Sequence, residues 1–207
     1  MRLVKRFFSQ TRKPEGFLGK LMLGTMNPGH AKLADWGFSH LPAIVPDQAV
    51  DLGCGGGRNA GELMKKYPNA HVTAIDYSEL SVEKAKDYNK AMVAAGRCEV
   101  LQGDVSELRL PAGAFDLATA FETVYFWPGL EQCFAQAAKV LKPGGYFMIC
   151  NESDGTDPTS LKFERIIDGM KSYTAEELEA ALRAAGFSAV KTDHHPSKPW
   201  ITVLAKK

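Results

Sequence analysis

The sequence predicts an α/β fold: a doubly wound, seven-stranded sheet, mostly parallel, closed by an antiparallel C-terminal strand pair. Three observations carry this expectation. From about residue 45 onward, short β-rich runs alternate with helical patterns, which is the texture of a parallel sheet. The stretch VDLGCGGGRNAGEL (50–63) runs an apolar strand into an aspartate, then places glycine at four of the five positions 53–57. Such a cluster marks a backbone that turns tightly or touches something closely. Finally, two late apolar runs are joined by HHPSKP (194–199), a connection too short for a parallel crossover.

The elements follow in order. AVDLG (49–53) is the first strand, and the segment from Arg58 to about Tyr67 is its helix. HVTAIDY (71–77) is the second strand, followed by a helix that starts near Ser78 or Ser81. RCEVLQGD (97–104) is the third strand, and FDLATAFE (115–122) is the fourth, running into an aromatic-rich loop. A helix from about Leu130 to Leu141 stops at the breaker Lys142-Pro143-Gly144-Gly145, and YFMICNE (146–152) is the fifth strand. Residues 153–173 read as polar and irregular. Thr174-Ala175-Glu176-Glu177 fits a capping box, and Gly186 fits the stop of the helix it starts. FSAVKTD (187–193) and WITVLAK (200–206) form the antiparallel pair.

Composition narrows the function classes. The chain has 207 residues, 45% of them hydrophobic, enough for the sizeable core of one domain. Lys+Arg 25 against Asp+Glu 24 leaves a formal charge of +1, so no global field points to nucleic acid. The N-terminal arm is locally basic, with Arg2, Lys5, Arg6, Arg12, Lys13 and Lys20 against the single Glu15. It lacks the apolar run and cleavage site of a signal peptide, and nothing approaches a membrane span. Cys54, Cys98, Cys133 and Cys150 are scattered without a C-x-x-C pair or a histidine at ligand spacing. A reducing, cytoplasmic compartment and no metal site are therefore expected.

A glycine-rich turn between a first strand and its helix is where doubly wound folds bind nucleotides, beside a helix N-terminus. Asp76 ends the second strand about 20 residues further on, the place and residue type that accept hydrogen bonds from a ribose. Asp104 ends the third strand, in reach of the same crevice. Two cofactor classes compete. Gly55, Gly57 and Ala60 fill the dinucleotide pattern G-x-G-x-x-A, which suits a nicotinamide-dependent oxidoreductase. Asp51 argues the other way, because an anion aimed into the turn repels a pyrophosphate and welcomes a cationic ammonium or sulfonium.

Together, VDLGCGGG, TAIDYSE, GDVSELRLPAGAFDLATAFETVYFW and LKPGGYFMI resemble the ordered motifs of class I S-adenosylmethionine-dependent methyltransferases. The resemblance spans about residues 48–207 and is greatest to small-molecule enzymes of the ubiquinone/menaquinone type. It implies a Rossmann-like methyltransferase domain (46–207) behind a helical arm or lid (1–45), with S-adenosylmethionine as cofactor. It places Asp51 near the methionine amino group, with Gly53, Cys54, Gly55 and Gly57 lining the amino-acid end. Asp76 binds the ribose, Tyr77 packs on the adenine, Asp104 and Val105 meet the adenine edge, and Phe121 closes over the methionine portion. A reactive thiol is the alternative for Cys54.

Methyl transfer from a sulfonium is an in-line displacement, so positioning outweighs acid–base chemistry. A general base helps with a hydroxyl or ammonium acceptor. The catalytic candidates are Glu122 and Tyr125 after the fourth strand and His30 in the arm, with Phe126 and Trp127 as pocket walls. Glu122 also reads as a solvated carboxylate or a helper for the cofactor ammonium. In the arm, Asn27, His30, Trp36 and His40 belong to a packing lid or to an acceptor contact, with an interfacial helix as a third reading. The expected partner is a small-molecule acceptor. FETVYF stands where nucleic-acid N-methylating enzymes carry an Asn/Asp-Pro-Pro-aromatic turn, so nucleic acid is not expected. Stable membrane insertion is not expected either, and the sequence leaves the oligomeric state open. The reading from another class is a non-catalytic cofactor-binding module that regulates a partner.

Overall fold

The computed structural model describes residues 30–207. The arm of residues 1–29, including Asn27, lies outside the described residues. In chain order the elements are α1 (Ala31–Phe38), β1 (Gln48–Leu52), α2 (Arg58–Lys66), β2 (His71–Asp76), α3 (Glu79–Tyr88), α4 (Lys90–Ala94), β3 (Cys98–Gln102), β4 (Phe115–Phe121), α5 (Leu130–Val140), β5 (Leu141–Asn151), α6 (Pro158–Glu164), α7 (Ala175–Ala184), β6 (Ala189–His194) and β7 (Ile201–Lys206). Single 3₁₀ turns follow β3 (Val105–Glu107) and β4 (Val124–Phe126).

The seven strands form one sheet in the order β3-β2-β1-β4-β5-β7-β6. The first five pair in parallel, whereas β7 runs antiparallel to both β5 and β6. This is the predicted architecture. Its central strands are buried on both faces, as parallel strands are, and β1 reads as half-buried Gln48 followed by four buried residues. Two apolar cores result. On one face Val50, Leu52, Ala118, Phe147 and Ile149 pack with Phe134 of α5 and Leu178 and Leu182 of α7. On the other, Ala49, Val72, Ala74, Leu117 and Met148 pack with Leu33 of α1, Leu63 of α2 and Val82 of α3.

Helix ends follow local chemistry. Ser78 caps α3 by accepting from the Ser81 N–H. Thr174 and Glu177 form the capping box of α7, and Gly186 follows its end at φ +95°.

Two expectations need correction. Strand β5 starts at Leu141, not Tyr146: Leu141 pairs with Phe115, and the register then shifts so that Tyr146 pairs with Leu117. Lys142–Gly145 is thus a bulge inside a strand, held by Lys142 Nζ on Asp116 Oδ1 at 2.7 Å. A bulge keeps the flanking residues paired while one strand carries extra residues. The segment 153–173, read as irregular, contains α6, whose start is capped by Asp157 accepting from the Ser160 N–H, with Pro158 at the first turn.

Candidate active site

Strand order reverses between β1 and β4, so their carboxyl ends leave a crevice where this fold class binds ligands. A cavity of about 290 Å³ opens there, lined by His30, Leu33, Gly53, Cys54, Gly55, Gly56, Asp76, Tyr77, Asp104, Val105, Phe121, Glu122, Phe126 and Trp127 among others. The chain after β1 turns at Gly53–Gly57 and enters α2. Gly57 sits at φ +80°, and a Cβ there would meet the Ala85 Cα at 2.7 Å, so this glycine is required by helix packing. Gly55 sits at φ +50° with nothing within 4 Å of where its Cβ would be. Its open side is the cradle a ligand would fill.

Two aspartates organise the floor. Asp76 ends β2, buried, with Oδ2 accepting from the Gly55 N–H and Oδ1 from the Ser78 N–H, each at 2.9 Å. Burial raises its carboxyl, while those two N–H groups oppose the shift. Asp51 lies one residue before the end of β1 and accepts from the Thr119 hydroxyl at 2.8 Å through Oδ1. Its Oδ2 is buried without a hydrogen-bond partner. Burial pushes Asp51 up to about 7, with the Thr119 bond opposing and the Asp76 charge adding to the rise. A buried carboxylate with an orphan oxygen is poised to receive a cationic donor.

Tyr77 is exposed at the cavity edge, and Asp104 caps the turn after β3 by accepting from the Ser106 N–H and hydroxyl. Phe121 packs against Phe38 of α1, with ring centroids 4.7 Å apart and the planes tilted by 48°. Cys54 is buried, and burial followed by the Asp76 and Asp51 charges pushes its thiol well up, so it stays protonated and the reactive-thiol reading finds no support. Helix α1 is pinned over the cavity by Asp35 on Arg58 of α2 at 2.6 Å and by the approach of Gly37 to Cys150 of β5.

After β4 the chain takes Glu122 through φ +57°, an uncommon conformation for a side-chain-bearing residue. Glu122 Oε1 accepts from the Tyr125 hydroxyl at 3.0 Å and from the Glu152 N–H. Burial, then the Glu152 charge, pushes Glu122 up to about 8. Tyr125 is buried behind it, and its oxygen accepts from the Ser153 N–H. Its phenol is raised well above the ordinary value, first by burial, so it stays protonated. His30 Nε2 lies 3.7 Å from Glu152 Oε2.

Of the residues expected from sequence, the structure gathers His30, Gly53, Cys54, Gly55, Asp76, Tyr77, Asp104, Val105, Phe121 and Glu122 on the cavity wall. Asp51, Gly57 and Tyr125 stand behind that wall as supports. Glu152 and Thr123 were missed. Thr123 lies on the wall and accepts from Trp127 Nε1 at 3.2 Å. Their signal was adjacency: each lies within two residues of a strand that ends at this crevice.

Residues 49–145 match the model of the methyltransferase domain family. Those residues, which hold the glycine turn and the strand ends at Asp76 and Phe121, are a methyltransferase domain. The chain is 31% identical over 168 residues to a sterol 24-C-methyltransferase of Gibberella zeae, covering 76% of this chain and 43% of that protein. It is 29% identical to the 27-O-demethylrifamycin SV methyltransferase of Amycolatopsis mediterranei, covering 78% of this chain and 61% of that protein. The chain thus spans less than half the length of the sterol methyltransferases it matches. Among solved structures, an O-methyltransferase family protein from Burkholderia thailandensis superposes with a TM-score of 0.78 at 17% identity, over 90% of this chain and 58% of that one. The [4+2]-cyclase SpnF superposes at 0.73 and 20% identity, over 85% of this chain and 80% of that one. At these identities the likeness is one of fold, and a cyclase on the same fold shows that the fold alone does not settle the chemistry. No helix among the described residues is long and apolar enough to cross a membrane.

Proposed function

We propose that this protein transfers a methyl group from S-adenosylmethionine to a small-molecule acceptor. The observation that carries the reading is the glycine turn 53–57, braced by Asp76 and backed by the orphan oxygen of Asp51, at the β1/β4 crevice. These groups fit the cofactor's chemistry: a buried carboxylate for an ammonium, an acid at a strand end for ribose hydroxyls, and open backbone for close passage. Asp51 would hold the amino group, with Gly53, Cys54 and Gly55 along the amino-acid portion. Asp76 would hold the ribose. Tyr77, Asp104 and Val105 would bound the adenine, with Phe121 over the methionine end. When bound, S-adenosylmethionine supplies an electrophilic methyl on a cationic sulfur.

The remaining residues handle the acceptor. Glu122, on the cavity wall and held by Tyr125, accepts the acceptor's proton, and His30 stands where that proton can leave towards solvent. Tyr125 acts through Glu122 and is a positioning residue. Within the N-terminal segment 1–45, the described residues 30–45 cover one side of the cavity, bringing His30, Leu33 and Ala34 to the wall as a lid would. The names of the sterol and rifamycin relatives support a small organic acceptor. The neutral overall charge supports neither nucleic acid as substrate nor a charged membrane surface, and the four dispersed, reduced cysteines support a cytoplasmic setting.

Thermal unfolding with S-adenosylmethionine, S-adenosylhomocysteine or NAD in separate samples tests the reading. A ligand at about 100 times its dissociation constant adds roughly 2.7 kcal/mol, a shift of about 5–10 °C for a domain of this size. The first two are expected to shift the transition and NAD is not. A shift with NAD alone would restore the oxidoreductase reading. Cofactor binding with no turnover across an acceptor screen would leave a non-catalytic binding module.

A further inference from the structure

Glu152 completes a cluster with His30 and Glu122 in which one ligand atom from each residue lies within 4.8 Å of the other two. The three come from separate elements: the start of α1, the turn after β4 and the end of β5. Glu122 and His30 face the cavity, whose neighbouring wall includes the aromatic rings of Phe126 and Trp127. Glu122 is in addition tied to Glu152 through the Glu152 N–H and to Ser153 through Tyr125. Among the described residues, no lysine or arginine pairs with either carboxylate; Arg58 on the same wall is engaged by Asp35 and Asn59.

Two carboxylates this close, one of them half-buried at the cavity wall, cannot both ionise cheaply without a cation. A neutral acceptor leaves that conflict in place. A cationic head group resolves it, and aromatic faces beside the acids favour the same charge. A hydrated surface pair would not need to be turned inward, whereas here the chain adopts φ +57° at Glu122 while its carboxylate faces the cavity.

We propose that the His30–Glu122–Glu152 cluster is the acceptor's head-group site and that it selects a protonated amine. The proposal rests on the methyl-transfer reading and names its substrate class. An ammonium has no lone pair, so it must give up one proton before its nitrogen can act as a nucleophile. Glu122 is the group on the cavity wall placed to take that proton, and Glu152 paired with His30 holds the second negative charge against the cation.

The test titrates protein saturated with S-adenosylhomocysteine with small primary and secondary amines, each paired with the alcohol of the same skeleton, by calorimetry. Amines are expected to bind at least about tenfold more tightly than their alcohols, a gap of about 1.4 kcal/mol. Glu152→Gln, a change at an exposed side chain, is expected to remove that preference and leave S-adenosylhomocysteine affinity unchanged. Glu122→Gln is expected to remove it as well. Alcohols binding as well as amines, or no amine binding, overturns the proposal. So does Mn²⁺ alone binding wild type and failing to bind Glu152→Gln, which would make the cluster a metal site. Equal loss of S-adenosylhomocysteine and amine affinity in Glu152→Gln would assign the cluster to the cofactor. If S-adenosylhomocysteine itself does not bind, the methyl-transfer reading fails, and the amine titration on the free protein still reads the cluster.

Discussion

Asp76 Oδ2 accepts a hydrogen bond of 2.9 Å from the Gly55 N–H, so the acid at the end of β2 braces the glycine turn that follows β1. The same carboxylate fixes the entry to α3 through the Ser78 N–H. One side chain therefore joins three segments of the cofactor crevice.

Asp76→Ala is expected to cost twice. It leaves the buried Ser78 N–H and the half-buried Gly55 N–H without an acceptor, a loss of about 1–3 kcal/mol in stability. It also removes the carboxylate offered to the ribose, so S-adenosylhomocysteine affinity should fall at least about tenfold, since hydrogen bonds to charged groups are worth about 1.5–3 kcal/mol. Calorimetry and thermal unfolding on the same variant separate the two effects. Lower stability with normal affinity would leave Asp76 as a brace for the turn with no ribose contact.

Gly55 and Gly57 make a second test. Both Gly55 and Gly57 have positive φ, where a side chain costs roughly 1–2 kcal/mol. A Cβ at Gly57 also meets the α3 backbone at Ala85, whereas one at Gly55 meets nothing within 4 Å. Gly57→Ala should therefore be the less stable protein. Gly55→Ala should fold with a smaller loss and bind S-adenosylhomocysteine poorly, because its methyl group enters the ligand's space. Circular-dichroism melts and calorimetry on the pair decide this. Normal binding by Gly55→Ala would move the cofactor away from the turn.

Much of this was legible in the sequence because it is local. The strand ends near Asp51, Asp76 and Phe121, the Thr174–Glu177 capping box and the Gly186 stop each rest on a few adjacent residues, and the structure has them where expected. What was misread depended on tertiary pairing. Gly144-Gly145 looks like a strand break, yet Phe115 captures Leu141 across the sheet and turns the break into a bulge. The α6 start lies in a stretch whose polar composition reads as irregular, although proline after an aspartate cap suits a first helical turn. Glu152 carries no motif of its own. It joins Glu122 because β4 and β5 are neighbours in register, with Phe121 opposite Cys150, and no local pattern announces that.

The buried acids also set a pH dependence. In the folded protein Asp51 titrates at about 7 and Glu122 at about 8, each raised chiefly by burial. In the unfolded chain both return to about 4. Between those limits the folded state binds more protons than the unfolded one, so stability falls as pH rises. The favourable contribution is complete below the unfolded values and is lost as pH passes through 7 and 8. Asp76, also raised, acts in the same direction. Asp116 and Asp157 are lowered, so their opposing effect falls in the acid range below the ordinary carboxyl value. His30 is lowered, first by burial and against the pull of Glu152, and opposes the trend around its ordinary value of 6.5. A His30→Gln background therefore gives the cleaner slope. Melting temperature in that background should decline from about pH 5 to pH 8, and Asp51→Asn should flatten part of the decline. An ammonium beside Asp51 favours its ionised form, so S-adenosylhomocysteine binding below about pH 7 should release a proton. Calorimetry in buffers of different ionisation enthalpy counts that proton. Stability that rises across the window, or proton release that persists in Asp51→Asn, would show that Asp51 neither carries the proton nor meets the amino group.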